Sequence, residues 1–207
     1  KKLNPTSNPQ ILIFQGLGHM SEWEYARAIP MFEAGSVAPG LSDYQRLVCR
    51  VNLSASLVHE QRYAEATPLL SKLFEDTTSY PVLLGNVMMN SAELKVETND
   101  LKGATALLTR AEQLLGQSQS FDNLYVRKWQ AIVELVATQA SQKALHSLEL
   151  IKQEAREKQH WETIRDCDYY RAIHTHNLQS LLYLYFGTPF DPFRERLVRN
   201  WKEKFVV

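Results

Sequence analysis

The sequence predicts an all-α protein, a stack of about five helical hairpins closed by a last helix, and three observations lead there. The first is an internal repeat: Tyr25-Ala26-Arg27-Ala28-Ile29-Pro30-Met31-Phe32 recurs 38 positions on as Tyr63-Ala64-Glu65-Ala66-Thr67-Pro68-Leu69-Leu70. A third copy keeps the spacing, with Leu101, Ala104 and Leu108 in the Tyr, second Ala and Phe/Leu places. The second observation lies nine residues upstream of each Tyr place, where Gly16, Ser54 and Ala92 are all small. Small residues at fixed places let one helix approach another closely, so each unit reads as two antiparallel helices that meet there. The third is a series of helix-start signals between the units.

Taken in order, Asn4, Pro5, Ser7, Asn8 and Pro9 mark residues 1–9 as an irregular lead-in to a helix over about 10–20. Ser21-Glu22-Trp23-Glu24 has the capping-box pattern, a Ser side chain and a Glu three residues on bonding each other's free amides, and predicts a second helix to about Gly35. Gly35 to Gly40 breaks the chain, and Ser42 to Gln45 repeats the capping-box pattern before a helix over 43–59. Helices over about 61–75 and 81–97 follow, the latter opened by Pro81, whose fixed φ suits a first helical position. Asn99-Asp100 turns into a helix over 100–115, which Gly116 is expected to end in a left-handed conformation. Asp122 or Asn123 is placed to cap a helix to about 139, and Ser141 starts its partner, running to about 158. There Ala144 and Leu148 echo Ala104 and Leu108 at an offset of 40. A fifth hairpin spans 161–174 and 177–186, and Gly187-Thr188-Pro189 stops it. Asp191-Pro192 then opens a helix to Phe205 whose Phe193, Leu197, Trp201 and Phe205 alternate with Arg194, Arg196, Arg199, Lys202 and Lys204. A stack needs such a lid, apolar inward and polar outward. The units are therefore 10–35, 42–75, 80–116, 122–158 and 160–186, with 191–205 as capping helix.

A small residue in the first helix, an aromatic nine on, an Ala three beyond it and a large apolar residue four further resembles the tetratricopeptide repeat. The resemblance covers residues 9 to about 115, at a period longer than that family's usual ~34. It implies a right-handed superhelix with a trough lined by the first helix of each unit. By register, that trough would hold Ile13, Leu17 and Met20, then Val51, Ala55 and Val58, then Met89, Glu93 and Val96, then Trp129, Val133 and Val136. The predicted lining is largely apolar and lacks the Lys, Arg and Asn with which family members clamp a peptide's terminal carboxylate. Three occupants would keep water off it: a partner's amphipathic helix or peptide, the chain's own last helix, or a second copy in a homodimer. Met20, Met88 and Met89 suit an adaptable surface.

Hydrophobic residues make up 44% of the 207 and charged residues 22%, as in ordinary folded domains. Lys plus Arg and Asp plus Glu number 23 each, which gives the whole chain no bias toward nucleic acid or an anionic membrane. The basic excess at residues 194–204 reads as the solvated side of the capping helix rather than a phosphate surface. Ile11 to Met20 is too short to span a bilayer. Two cysteines, Cys49 and Cys167, suit a reducing, cytoplasmic setting, and a start at Lys1-Lys2 without Met suggests a domain of something longer.

Chemistry is sparse. There is no Cys-x-x-Cys or His-Glu-x-x-His ligand spacing, and Gly16-Leu17-Gly18 lacks the third glycine and preceding strand of a phosphate loop. The densest reactive cluster is Asp166, Cys167, Asp168, Tyr169, Tyr170, His174 and His176, where Cys167 and His174 share a helix face seven residues apart. A thiol–imidazole hydrolase would also need an oxyanion device and an orienting group, which are not visible, so Cys167 reads as a core residue and catalytic, metal and cofactor sites are all expected to be none. The functional expectation is a non-enzymatic scaffold or adaptor that binds another protein in the trough. The alternative is a sensing or oligomerisation segment of a larger regulator, such as a bacterial transcription factor.

Overall fold

The computed structural model describes residues 8–116, 121–189 and 191–205, the last six of these in backbone only. Eleven helices and no strand occur among them: α1 Gln10–Ser21, α2 Tyr25–Val37, α3 Asp43–His59, α4 Tyr63–Asp76, α5 Pro81–Glu97, α6 Leu101–Leu115, α7 Asp122–Ala137, α8 Gln142–Glu157, α9 Trp161–His174, α10 Leu178–Gly187 and α11 Asp191–Phe205. The lead-in over residues 1–7 and the side chains of Trp201, Lys202, Lys204 and Phe205 lie outside the described residues.

Packing follows the chain stepwise. Each odd helix lies against the next odd one, α1 on α3, α3 on α5, α5 on α7, α7 on α9 and α9 on α11, and each even helix sits against its two odd neighbours. The repeat residues make these contacts. Ala28, Ala66, Ala104 and Ala144 are all 0% exposed, and Phe32, Leu70, Leu108 and Leu148 are buried with them. A Cβ on Gly16 would stand 2.6 Å from the Phe32 ring, and one on Gly85 2.5 Å from Leu115, so glycine sets how closely the first and third hairpins close.

The same equivalence appears in the backbone. Trp23, Gln61 and Asn99, each 38 residues from the next, all take a positive φ, of 62°, 60° and 64°. Each ends the first helix of its unit in the left-handed region, and the following amide bonds back to His19, Leu57 and Lys95 respectively. Three unlike side chains thus adopt one costly conformation because the hairpin demands it.

Local signals held unevenly. Ser42 and Gln45 form the expected capping box, Pro81 sits in the first turn of α5, and Asp100, Ser141 and Asn177 cap α6, α8 and α10. The Ser21–Glu24 box does not form. Ser21 is the last residue of α1 and its Oγ donates to the Gly18 carbonyl, while the Glu24 carboxylate is taken by His19 and Arg27. Gly116 is right-handed at φ −61°, and neither Asp122 nor Asn123 caps α7: Asn123 instead donates to the Gly116 carbonyl at 2.7 Å. Pro30 and Pro68 stand beyond the first turns of α2 and α4, each at the cost of one helical hydrogen bond.

Candidate functional site: a channel with a charged floor

The odd helices enclose a cavity of about 400 Å³. Its rim is made by first turns, with Tyr44 of α3 and Val82 of α5 46% and 47% exposed, and with Asp122 of α7 and Glu162 of α9. Its walls carry Leu17, Met20, Val48, Val51, Ala55, Leu83, Met89 and Trp129, interleaved with Asn52, Asn86, Asn90 and Tyr125. Its deepest side chains are His59, Glu93 and Lys128, all nearly inaccessible.

Of the expected trough residues, Leu17, Met20, Val51, Ala55, Met89, Glu93 and Trp129 line this cavity. Ile13, Val58, Val96, Val133 and Val136 do not. Val58, Val96 and Val133 are buried in the cores between helices, and Ile13 and Val136 pack half-buried against them. In α3 and α5 the lining stripe is rotated toward Asn52 and Asn90 by about 45°, given the ~100° that each helical residue turns, which carries Val58 and Val96 off the wall. Polar groups are thereby interleaved with the apolar lining. Three asparagines, a histidine, three carboxylates and a lysine face the cavity.

The floor is held by ionisable pairs that bridge one odd helix to the next. His59 Nδ1 of α3 lies 3.2 Å from Glu93 Oε1 of α5, and Lys128 of α7 donates to Asp166 of α9. Lys128 also stands 4.8 Å from the Tyr125 ring centroid and 5.1 Å from that of Trp129, and Tyr125 donates its hydroxyl to Glu162 at 2.7 Å. Burial opposes the Lys128 charge, but Asp166 and Glu162 beside it hold its pKa above the ordinary value.

The stack also curls until late helices meet early ones. Arg165 of α9 donates to the Ser21 carbonyl, Tyr170 of α9 donates to Glu97 of α5 at 2.6 Å, and Tyr169 lies edge-on to Trp23. Into this closure α11 inserts Phe193, Arg196 and Leu197, all buried. Phe193 meets the Trp23 ring edge-on at 4.6 Å, and the Arg196 guanidinium lies 5.5 Å from Trp23 and 5.8 Å from Tyr169. Arg196 Nη1 reaches His59 Nδ1 at 3.0 Å. Arg196 is therefore not on the solvated side of the capping helix, as its spacing implied.

That contact sets the protons. An arginine only donates, so His59 Nδ1 must accept and the imidazole is neutral there. Burial, helped by Arg196 and Lys128, pushes the His59 pKa well below its usual value. Arg196 takes the single lone pair of that nitrogen, so the Glu93 oxygen 3.2 Å away makes no hydrogen bond to it. Burial raises the Glu93 pKa to about 8, against the lowering pull of Lys128 and Arg196. Tyr25 stacks on the other face of His59 at 4.1 Å. Patterning did not reveal this centre, because its members sit one per hairpin at unequal spacings and only their partners across the channel explain them.

The other candidate chemistry separates. Cys167 is 1% exposed, and burial lifts its thiol to about 12, the reverse of an activated thiolate. Its neighbours are otherwise engaged: Asp166 binds Lys128, Asp168 binds Lys152, and His174 stacks on Tyr170. Cys49 packs against Gly35 where α2 meets α3. Among the described residues no group of His, Cys, Asp and Glu is arranged to hold a metal ion, and no helix is long and apolar enough to cross a membrane.

Comparison with models of known families, with curated proteins and with solved structures finds no match to this chain.

Proposed function

We propose that the chain is a non-enzymatic scaffold or adaptor, a right-handed, tetratricopeptide-like superhelix in the cytoplasm that receives a helix or peptide segment of another protein in the channel between its odd helices. The observation that carries the reading is the channel itself: an open rim with exposed Tyr44 and Val82, apolar walls, and a polar floor of His59, Glu93 and Lys128 drawn from three helices. Apolar walls with a few convergent polar groups suit an amphipathic segment, whose apolar side chains would meet Leu17 and Met89 while a polar one reaches toward Asn90 and Glu93. The unactivated thiol of Cys167 supports a binding role over hydrolysis. Leu17→Asp with Val82→Asp changes two accessible wall residues, so helicity should persist while a partner captured by the wild type is lost. Undiminished capture by this variant would count against the channel.

A second reading, the sensing segment of a larger regulator, is favoured by one contact. His59 lines the cavity and also receives Arg196, so whatever occupies the channel is felt by α11. A full-length gene with no DNA-binding or signalling domain beside this region would remove it.

A further inference from the structure

The seat of α11 shows which side chains this end of the channel accepts. Phe193, Arg196 and Leu197 lie on one face of the helix and are buried to 0%, 6% and 2% exposure. Phe193 fills the angle between Trp23 and Tyr169, and Arg196 passes between the same two rings to the His59 imidazole. Charge and shape are both specific: a planar cation fits between aromatic rings and meets an acceptor nitrogen, with Glu93 behind it.

The seat is also incompletely satisfied. Trp23 Nε1, Tyr25 OH, Glu93 Oε1 and Arg196 Nε are buried there without a hydrogen-bond partner among the described residues. Such atoms are rare in a settled core and each favours an arrangement that would satisfy it. Moreover, among the described residues, α11 packs mainly on α9 and α10, and it reaches α3 and the turn after α1 through Arg196 and Phe193. A helix held this way can be exchanged without dismantling the stack.

We propose that the cradle of Trp23, His59, Glu93 and Tyr169 is a helix-docking site whose resident occupant is α11, and that the partner is a helix carrying the same key: an aromatic residue, an arginine three positions on and an aliphatic residue next to it. The proposal rests on the channel reading only in taking that partner to be the one the scaffold receives. Binding then means displacement, and α11 acts as a competitor built into the chain.

The probe is a fluorescent peptide with the sequence of residues 191–205, added to the full chain. The Phe193→Ala, Arg196→Ala chain, whose own helix is unseated, should bind it at least tenfold more tightly than wild type. A peptide carrying Arg196→Ala should lose that gain, as should a chain with His59→Ala added. Equal affinity for wild-type and unseated chains, or for peptides with and without the arginine, would overturn the proposal. Hydrogen exchange on the wild type decides the matter if the unseated chain fails to fold: α11 amides should exchange at least tenfold faster than those of α9, and equal protection would make α11 a fixed part of the core. The Leu17→Asp, Val82→Asp rim variant separates the two readings. Peptide exchange that survives in it while partner capture also survives would refute the channel reading and leave the cradle standing.

Discussion

The first three hairpins and the last helices solve the same packing problem with different materials. In α1 to α6 the inter-helix contacts are made by Gly16, Gly85 and the fully buried Ala28, Ala66 and Ala104 against single large residues. In α7 to α11 the Ala144 and Leu148 contact is joined by rings and charges, Lys128 on Asp166 and, reaching back to the early hairpins, Arg196 on His59 and Phe193 on Trp23 and Tyr169. Small-residue packing works through nearness alone and tolerates repetition, so it leaves a period in the chain. Buried charge works only in pairs, and removing one partner leaves the other without compensation.

The largest effect should come from breaking such a pair. Lys128→Ala strands Asp166 in a site 3% exposed and should cost about 3–5 kcal/mol in urea denaturation. Lys128→Met with Asp166→Leu should recover most of that loss; a double variant as unstable as the single would mean that the pair does more than compensate itself. In the first half the sensitive change is steric. Gly16→Ala drives a Cβ into the Phe32 ring and should cost about 1–3 kcal/mol, whereas Gly18→Ala, with open space around it in the same helix, should gain up to about 1 kcal/mol. Similar values for the two would dissolve the contrast drawn here between close approach and ordinary helix.

The charged half should also answer to pH. Glu93 titrates near 8 in the fold against 4.5 when free, so the folded chain binds the extra proton and its stability falls as pH rises from 4.5 to 8. His59, depressed below 6.5 by burial among Tyr25, Glu93, Lys128 and Arg196, works the other way, losing stability as pH falls under 6.5. Between pH 6.5 and 8 the Glu93 effect is no longer opposed by His59, and Glu162, whose pKa burial also raises, acts in the same direction. Thermal melts of the wild type should therefore decline across that window, and those of Glu93→Gln should decline less. The smallest effect lies in the turns. Gln61→Gly and Asn99→Gly relieve a left-handed backbone at φ 60° and 64° and should each raise stability by at most about 1 kcal/mol.

Much of the fold was legible because its signals are local. Ser42 with Gln45, Pro81, Asp100 and Ser141 act within one helical turn, and ten of the eleven helices begin within two residues of the expected place. The failures share a cause. Ser21 and Asn123 have the right chemistry for caps, but the path of the chain after α1 and before α7 takes their side chains elsewhere. For the site, Leu17, Val51, Met89, Glu93 and Trp129 were legible from register, while Val58, Val96 and Val133 were misplaced by a modest rotation about the helix axis. A seven-residue step on a helix returns within about 20° of its start, which leaves a lining position and a core position hard to separate by spacing alone.

By itself the sequence determined that the chain is helical, where most helices start, and which alanines and glycines lie between them, since these follow from side-chain size and backbone geometry over a few residues. Only the tertiary structure decided that the floor of the channel is charged and that α11 closes it. His59, Glu93, Lys128, Asp166 and Arg196 belong to five different helices, and no spacing in the sequence joins any of them to its partner. The cost of burying a charge is a property of surroundings that no single stretch of chain contains.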